Sequence, residues 1–241
     1  MLCVNGITFN MGLAHSPSII SDGLVFYLDA ANARCYSGIG ITVNNLLGWI
    51  VRTFIGGAGY SSQNSGSFYF NGTTNYIISN AITQNNNASA LTWTVWAKRN
   101  ASNSLLTLAQ SSAMESDIGL ELWSNGDIYF EIGNGGNTLG QLSNNSSSWQ
   151  NVAMVFDGSG ADNSSRLKAF INGIQQNLSY SGTIPTTAGT GNTLFIGNSG
   201  LFGNANLFSA GNLGSFQSYN RALSATEILQ NYNATRKRFG L

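Results

Sequence analysis

The stretch "IGLELWSNGDIYFEI", residues 118–132, decides the fold. Apolar residues fall at every second position on both sides of Asn125-Gly126: Ile118, Leu120 and Leu122 before it, Ile128, Phe130 and Ile132 after it. A period of two puts each set on one face of an extended strand. Asn-Gly supplies the positive φ angles of a two-residue type I′ turn, so the halves are predicted to close into an antiparallel hairpin. The same signals recur outward in both directions, as "GLVFYLDA" (23–30), "SFYFNG" (67–72), "LTWTVWAK" (91–98), "WQNVAMVF" (149–156), "RLKAFI" (166–171), "TLFIG" (193–197) and "LGSFQSY" (213–219). A second Asn-Gly, at 172–173, is predicted to reverse "RLKAFI" into "IQQNL". So many short strands imply an all-β sandwich or barrel. The tracts at 134–148 and 187–195, poor in apolar residues, read as exposed loops.

One helix breaks the pattern, over "LSATEILQNYNA" (223–234). Ser224 and Glu227 have the spacing of a capping box, Leu223 is placed to staple against Ile228, and Ile228, Leu229 and Tyr232 form an apolar face. Residues 1–18 read as an arm, stopped by Pro17 before the first strand, with Leu2, Val4, Ile7, Phe9, Met11 and Leu13 as its assembly contacts. Residues 19–241 are read as one domain. Charged residues are only 8% of the 241, and 10 basic balance 10 acidic side chains. That balance excludes an electrostatic case for nucleic acid or an anionic membrane. The 42% of hydrophobic residues, with 13 Phe, 9 Tyr and 5 Trp, suffice for a buried core. No apolar run reaches the length of a membrane span, and the N-terminus lacks the regions of a secretory signal, so a soluble chain is expected. Cys3 and Cys35 indicate no disulfide framework; a bridge between them stays open.

In the C-terminal third, "WQNVAMVFDGSG" (149–160), "RLKAFINGIQQ" (166–176), "LFIGN" (194–198) and "GSFQSYNRALSATEILQNYNATRKRFGL" (214–241) resemble the concanavalin A-like lectin/glucanase superfamily in its laminin-G-like form, most specifically through "YNRALSATEI". Upstream, "LTWTVWAKR" (91–99) and "GSFYFNGTTNYI" (66–77) are similar to its preceding strands. The resemblance spans about residues 20–241 and implies a two-sheet antiparallel jelly roll with one short C-terminal helix. More narrowly, "SDGLVFYLDAANARCYSG" (21–38) and "NYNATRKRFGL" look like laminin-G-like virion proteins of marine tailed phages. That implies a non-enzymatic virion protein, a homo-oligomer in the particle, docked to other capsid or tail proteins. The alternative is an adhesin for host surface glycans.

The acids of "MESDIGLEL" (114–122) raise the question of catalysis. The glucanase branch of the superfamily carries its pair in a tighter E-x-D-x-E or E-x-D-x-x-E. Here Glu115 and Glu121 flank Asp117 at a spacing that sets their Cα atoms about 20 Å apart on a strand. A retaining glycosidase needs its carboxyl groups about 5–5.5 Å apart. The simpler reading has Glu115 and Asp117 in the preceding loop, with Glu121 and Trp123 facing away from Ile118, Leu120 and Leu122. His15 is the only histidine, which leaves a triad or a His-based zinc site without support. Asn71 and Asn75 stand where relatives often carry calcium-binding acids, and "DGSGADN" (157–163) reads as a solvated hairpin, so no metal or cofactor is expected. Trp93, Trp96 and Trp149 read as core, leaving Trp49 and Trp123 as glycan-stacking candidates. The basic run 236–238 reads as a solvated tail.

Overall fold

The computed structural model describes residues 17–48, 52–57, 59–101, 106–111, 116–133, 138–198 and 208–241. The arm residues Leu2, Val4, Ile7, Phe9, Met11 and Leu13, together with Cys3, Trp49 and Glu115, lie outside the described residues. The strands are β1 (Leu24–Asp29), β2 (Thr42–Val43), β3 (Arg52–Ile55), β4 (Tyr60–Ser61), β5 (Ser67–Asn71), β6 (Tyr76–Asn80), β7 (Ala90–Arg99), β8 (Leu106–Ser111), β9 (Ser116–Leu122) and β10 (Asp127–Ile132). Then come β11 (Leu139–Ser143), β12 (Gln150–Asp157), the single-turn helix α1 (Asn163–Arg166), β13 (Leu167–Ile171), β14 (Ile174–Gln176), β15 (Ser179–Ser181), β16 (Thr193–Ile196), β17 (Ala210–Tyr219) and helix α2 (Ala225–Thr235).

They form two antiparallel sheets. One has eight strands in the order β14-β13-β12-β7-β17-β5-β4, with β1 beside β17; the other has nine, in the order β15-β11-β10-β9-β8-β16-β6-β3-β2. The main core lies between them, where Phe68, Phe70, Trp93, Phe130, Phe156 and Phe216 are buried. A smaller core covers the outer face of the eight-stranded sheet, where Leu223 and Ile228 pack on Ala153, Val155, Phe170 and Tyr219. This explains why β7 is buried almost throughout its length: Trp93 meets Phe216 in the sandwich at 5.2 Å, while Trp96, on the opposite face, stacks on Phe239 at 4.1 Å.

The predicted helix and its capping box are present, with Leu223 and Ile228 both buried. Its inner face differs from expectation, since Leu229 is exposed and the buried positions are Ile228 and Asn231. Asn231 is buried because it hydrogen bonds: its Oδ1 accepts from the Ile20 amide at 2.7 Å and its Nδ2 donates to Tyr219 Oη at 3.0 Å.

Asn172-Gly173 has the expected turn, with φ of 52° and 78°. At Asn125-Gly126 only the glycine has positive φ, 90°. There the Gly126 amide donates to the Trp123 carbonyl at 3.0 Å and the Trp123 amide to the Asp127 carbonyl at 2.8 Å. This is the longer hairpin closure in which one left-handed glycine follows an ordinary turn.

Four further expectations are corrected. The tract 134–148 contains β11, whose pairing with β10 and β15 outweighs its polar composition, and in the tract 187–195 Ala188 is buried. Trp149 is half-buried, its Nε1 donating to Asn64 Oδ1 at 3.0 Å. The basic run is no free tail: Arg238 pairs with Asp29 at 2.6 Å and donates to the Asn64, Gly66 and Gly214 carbonyls.

Candidate functional site

The hairpin of β9 and β10 builds the site on the outer face of the nine-stranded sheet. Ile118, Leu120, Leu122, Ile128, Phe130 and Ile132 belong to the main core, so their alternates point outward. Glu121 lies directly between Thr107 on β8 and Tyr129 on β10, and Tyr129 lies beside Gln141 on β11. Glu131 is opposite Gly119, one diagonal step from Glu121. Asp117 falls inside β9 and not in a preceding loop.

Trp123 closes over this row. Its Nε1 donates to Glu121 Oε2 at 2.6 Å, and its ring meets Tyr129 edge-on at 5.9 Å and 80°. Both rings are half-buried. Beyond them Asn125 Nδ2 donates to Asp127 Oδ2 at 2.9 Å and to Tyr129 Oη at 3.2 Å, and Ser143 Oγ donates to Asp127 Oδ1 at 2.7 Å. The result is an aromatic pair with amide, hydroxyl and carboxylate groups at its edge, the composition that suits a sugar ring. Arg99 secures it from behind. Its buried guanidinium donates to the Trp123 carbonyl at 3.0 Å, to the Ser146 carbonyl at 3.2 Å and to that of Asn144, tying the hairpin to the 144–146 turn.

Glu121 has no exposed surface and Glu131 only 9%. Burial raises the pKa of Glu121, partly offset by the Trp123 hydrogen bond. Burial, and then the charge of Glu121, push Glu131 up to about 9. The two carboxyls therefore hold a proton at neutral pH. Trp49 lies outside the described residues, so Trp123 is joined by Tyr129. Glu131 was missed by sequence reasoning, although the register of its own hairpin places it diagonal to Glu121. Thr107 carried no signal, because β8 alternates too weakly to stand out.

Elsewhere, Asn71 and Asn75 are absorbed in their own turn, the Asn71 amide donating to Asn75 Oδ1 at 2.8 Å. Asp162 caps α1. Cys35 is a buried free thiol, pushed up to about 12 by that burial. Among the described residues no helix is long and apolar enough to cross a membrane.

The family model of the laminin-G type, described as the concanavalin A-like lectin/glucanases superfamily, matches residues 71–229. The chain belongs to this superfamily. The matched segment includes the β9–β10 hairpin and the start of α2, so the site lies within the shared fold. Among solved structures, the superfamily member is similar to the Trypanosoma rangeli sialidase in complex with sialic acid, with a TM-score of 0.64 at 13% identity, covering 90% of this chain and 33% of that one. It is similar also to the binding domain of botulinum neurotoxin serotype D/C, with a TM-score of 0.64 at 14% identity, covering 88% of this chain and 52% of that one. The chain thus spans a third to about half of these proteins, and at such identities the likeness is one of fold. No curated protein matches the sequence.

Proposed function

We propose that this superfamily member is a non-enzymatic recognition domain of a tailed-phage particle, with the Trp123–Tyr129 face as its glycan-contacting surface. The observation that carries the reading is the half-buried aromatic pair set among Asn125, Asp127 and Ser143. What supports the non-enzymatic part is the burial of Glu121: a nucleophile or general acid must meet its substrate. A similar fold occurs in the receptor binding domain of a botulinum neurotoxin and in a sialidase bound to sialic acid, so acidic and neutral glycans both belong in the test. The particle itself rests on the resemblance of residues 21–38 and 231–241 to phage proteins.

A second reading, docking to other virion proteins, is favoured by one surface. Ile39, Ile41 and Ile55 are exposed around the β2–β3 edge of the nine-stranded sheet, and such an edge invites pairing with another chain. The deciding experiment is a glycan array probed with the purified chain and with Trp123→Ala. Binding is expected from the parent, weakened about fivefold or more in the variant, since losing a stacked aromatic costs on the order of 1–3 kcal/mol. Absence of all glycan binding, with the chain found stoichiometrically in purified virions, would leave only the docking reading.

A further inference from the structure

Three side-chain oxygens on the outer face of the nine-stranded sheet are buried without a hydrogen-bond partner: Thr107 Oγ1, Glu121 Oε1 and Glu131 Oε2. The other such atoms among the described residues, Asn85 Nδ2 and Trp93 Nε1, are nitrogens. The oxygens come from neighbouring strands. Thr107 stands directly opposite Glu121, and its own amide and carbonyl turn the other way, to Ser209 Oγ and the Gly197 amide. The two therefore form a non-hydrogen-bonded pair, the kind with the closer Cα spacing of about 4.5 Å. Glu131 is one diagonal step away, within reach of a long side chain. The residue opposite it on β9 is Gly119, which puts no side chain between the two carboxylates.

Burying two carboxylates side by side is costly unless something positive lies between them. One shared proton would relieve the charge but leave the Thr107 hydroxyl, itself fully buried, without a role. A single cation seated among the three strands would give all three oxygens a partner at once. The donors are two carboxylates and a hydroxyl, with no nitrogen or sulfur, which selects a hard cation. With the proton between them displaced by the cation, their two negative charges favour a divalent one. Donors spread over three strands suit calcium, which tolerates irregular coordination, better than magnesium, which demands a near-ideal octahedron.

We propose that Thr107 Oγ1, Glu121 Oε1 and Glu131 Oε2 form a binding site for one hard divalent cation of the calcium class, seated between β8, β9 and β10. Glu131, with its small exposed surface, is the route of entry. Trp123, bonded to the other oxygen of Glu121, orients that ligand and does not bind the ion. The site stands independently of the glycan reading, because its three oxygens are buried, whereas the glycan surface is the half-exposed Trp123–Tyr129 pair.

Terbium, a calcium substitute excited through nearby tryptophan, reports the site directly. With the full chain we expect Trp123-sensitised terbium emission that calcium displaces, and a melting temperature raised by millimolar CaCl2 more than by MgCl2. Glu121→Gln and Glu131→Gln should lose both signals. Thr107→Val should weaken calcium about tenfold, and Trp123→Phe should keep the calcium-dependent rise in melting temperature while losing most of the emission. The proposal is overturned by a parent chain that shows neither signal, or by an undiminished calcium effect in Glu131→Gln. Should the Gln variants fail to fold, an unchanged calcium affinity in Thr107→Val overturns it as well.

Discussion

Glu131 illustrates how one residue's environment sets its chemistry. In "DIYFEI" it reads as an ordinary outward-facing acid, yet beside Glu121 it keeps its proton to about pH 9. An acid whose pKa is higher in the folded than in the unfolded chain binds its proton more tightly when folded. Stability therefore falls as pH rises from the unfolded value, near 4.5, to the raised folded one, and is level outside that window. With a chelator present, Glu131→Gln should lack this slope. Calorimetry is expected to show the variant more stable than the parent at pH 9, by about 1–3 kcal/mol, with the two curves converging near pH 4. A variant less stable at both ends would show that the carboxyl is held by attractive contacts instead.

At the scale of elements, the β9–β10 hairpin shows how a turn carries a face. Gly126 has φ of 90°, and a Cβ there would lie 1.5 Å from Asn145 Oδ1. Gly126→Ala thus meets both a disfavoured backbone and a side chain from the turn that Arg99 secures. The expected cost is about 2 kcal/mol or more, read by chemical denaturation, and glycan binding should weaken with it because Trp123 and Asp127 flank the turn. Helix α2 makes the complementary point. Its capping box is local and was legible in "SATE", whereas the burial of Asn231 and the exposure of Leu229 depend on Tyr219 and Ile20, residues remote in sequence.

At the scale of the molecule, the C-terminal segment acts as a clasp. Phe239 stacks on Trp96, and Arg238 joins Asp29 on β1 to the Asn64, Gly66 and Gly214 carbonyls. Removing residues 236–241 uncovers Trp96 and strands Asp29 without its partner. The expected loss is about 3–5 kcal/mol, seen as a melting temperature lower by about 6–20 °C at this chain length. An unchanged melting temperature would return the segment to the status of a tail.

The all-β class, most of the long strands, both Asn-Gly reversals, the capped helix and the superfamily were legible in the sequence alone, because each is written in local periodicity or in turn and cap residues next to one another. The sequence also placed Glu121 and Trp123 on the face opposite the core. Which groups meet there follows from the folded arrangement of the strands. Cross-strand register brings Thr107 and Glu131 to Glu121, and Tyr129 to Trp123. The short strands β2, β4, β8, β11 and β15 stayed illegible for the same reason: pairing with neighbours, rather than their own pattern, holds them extended.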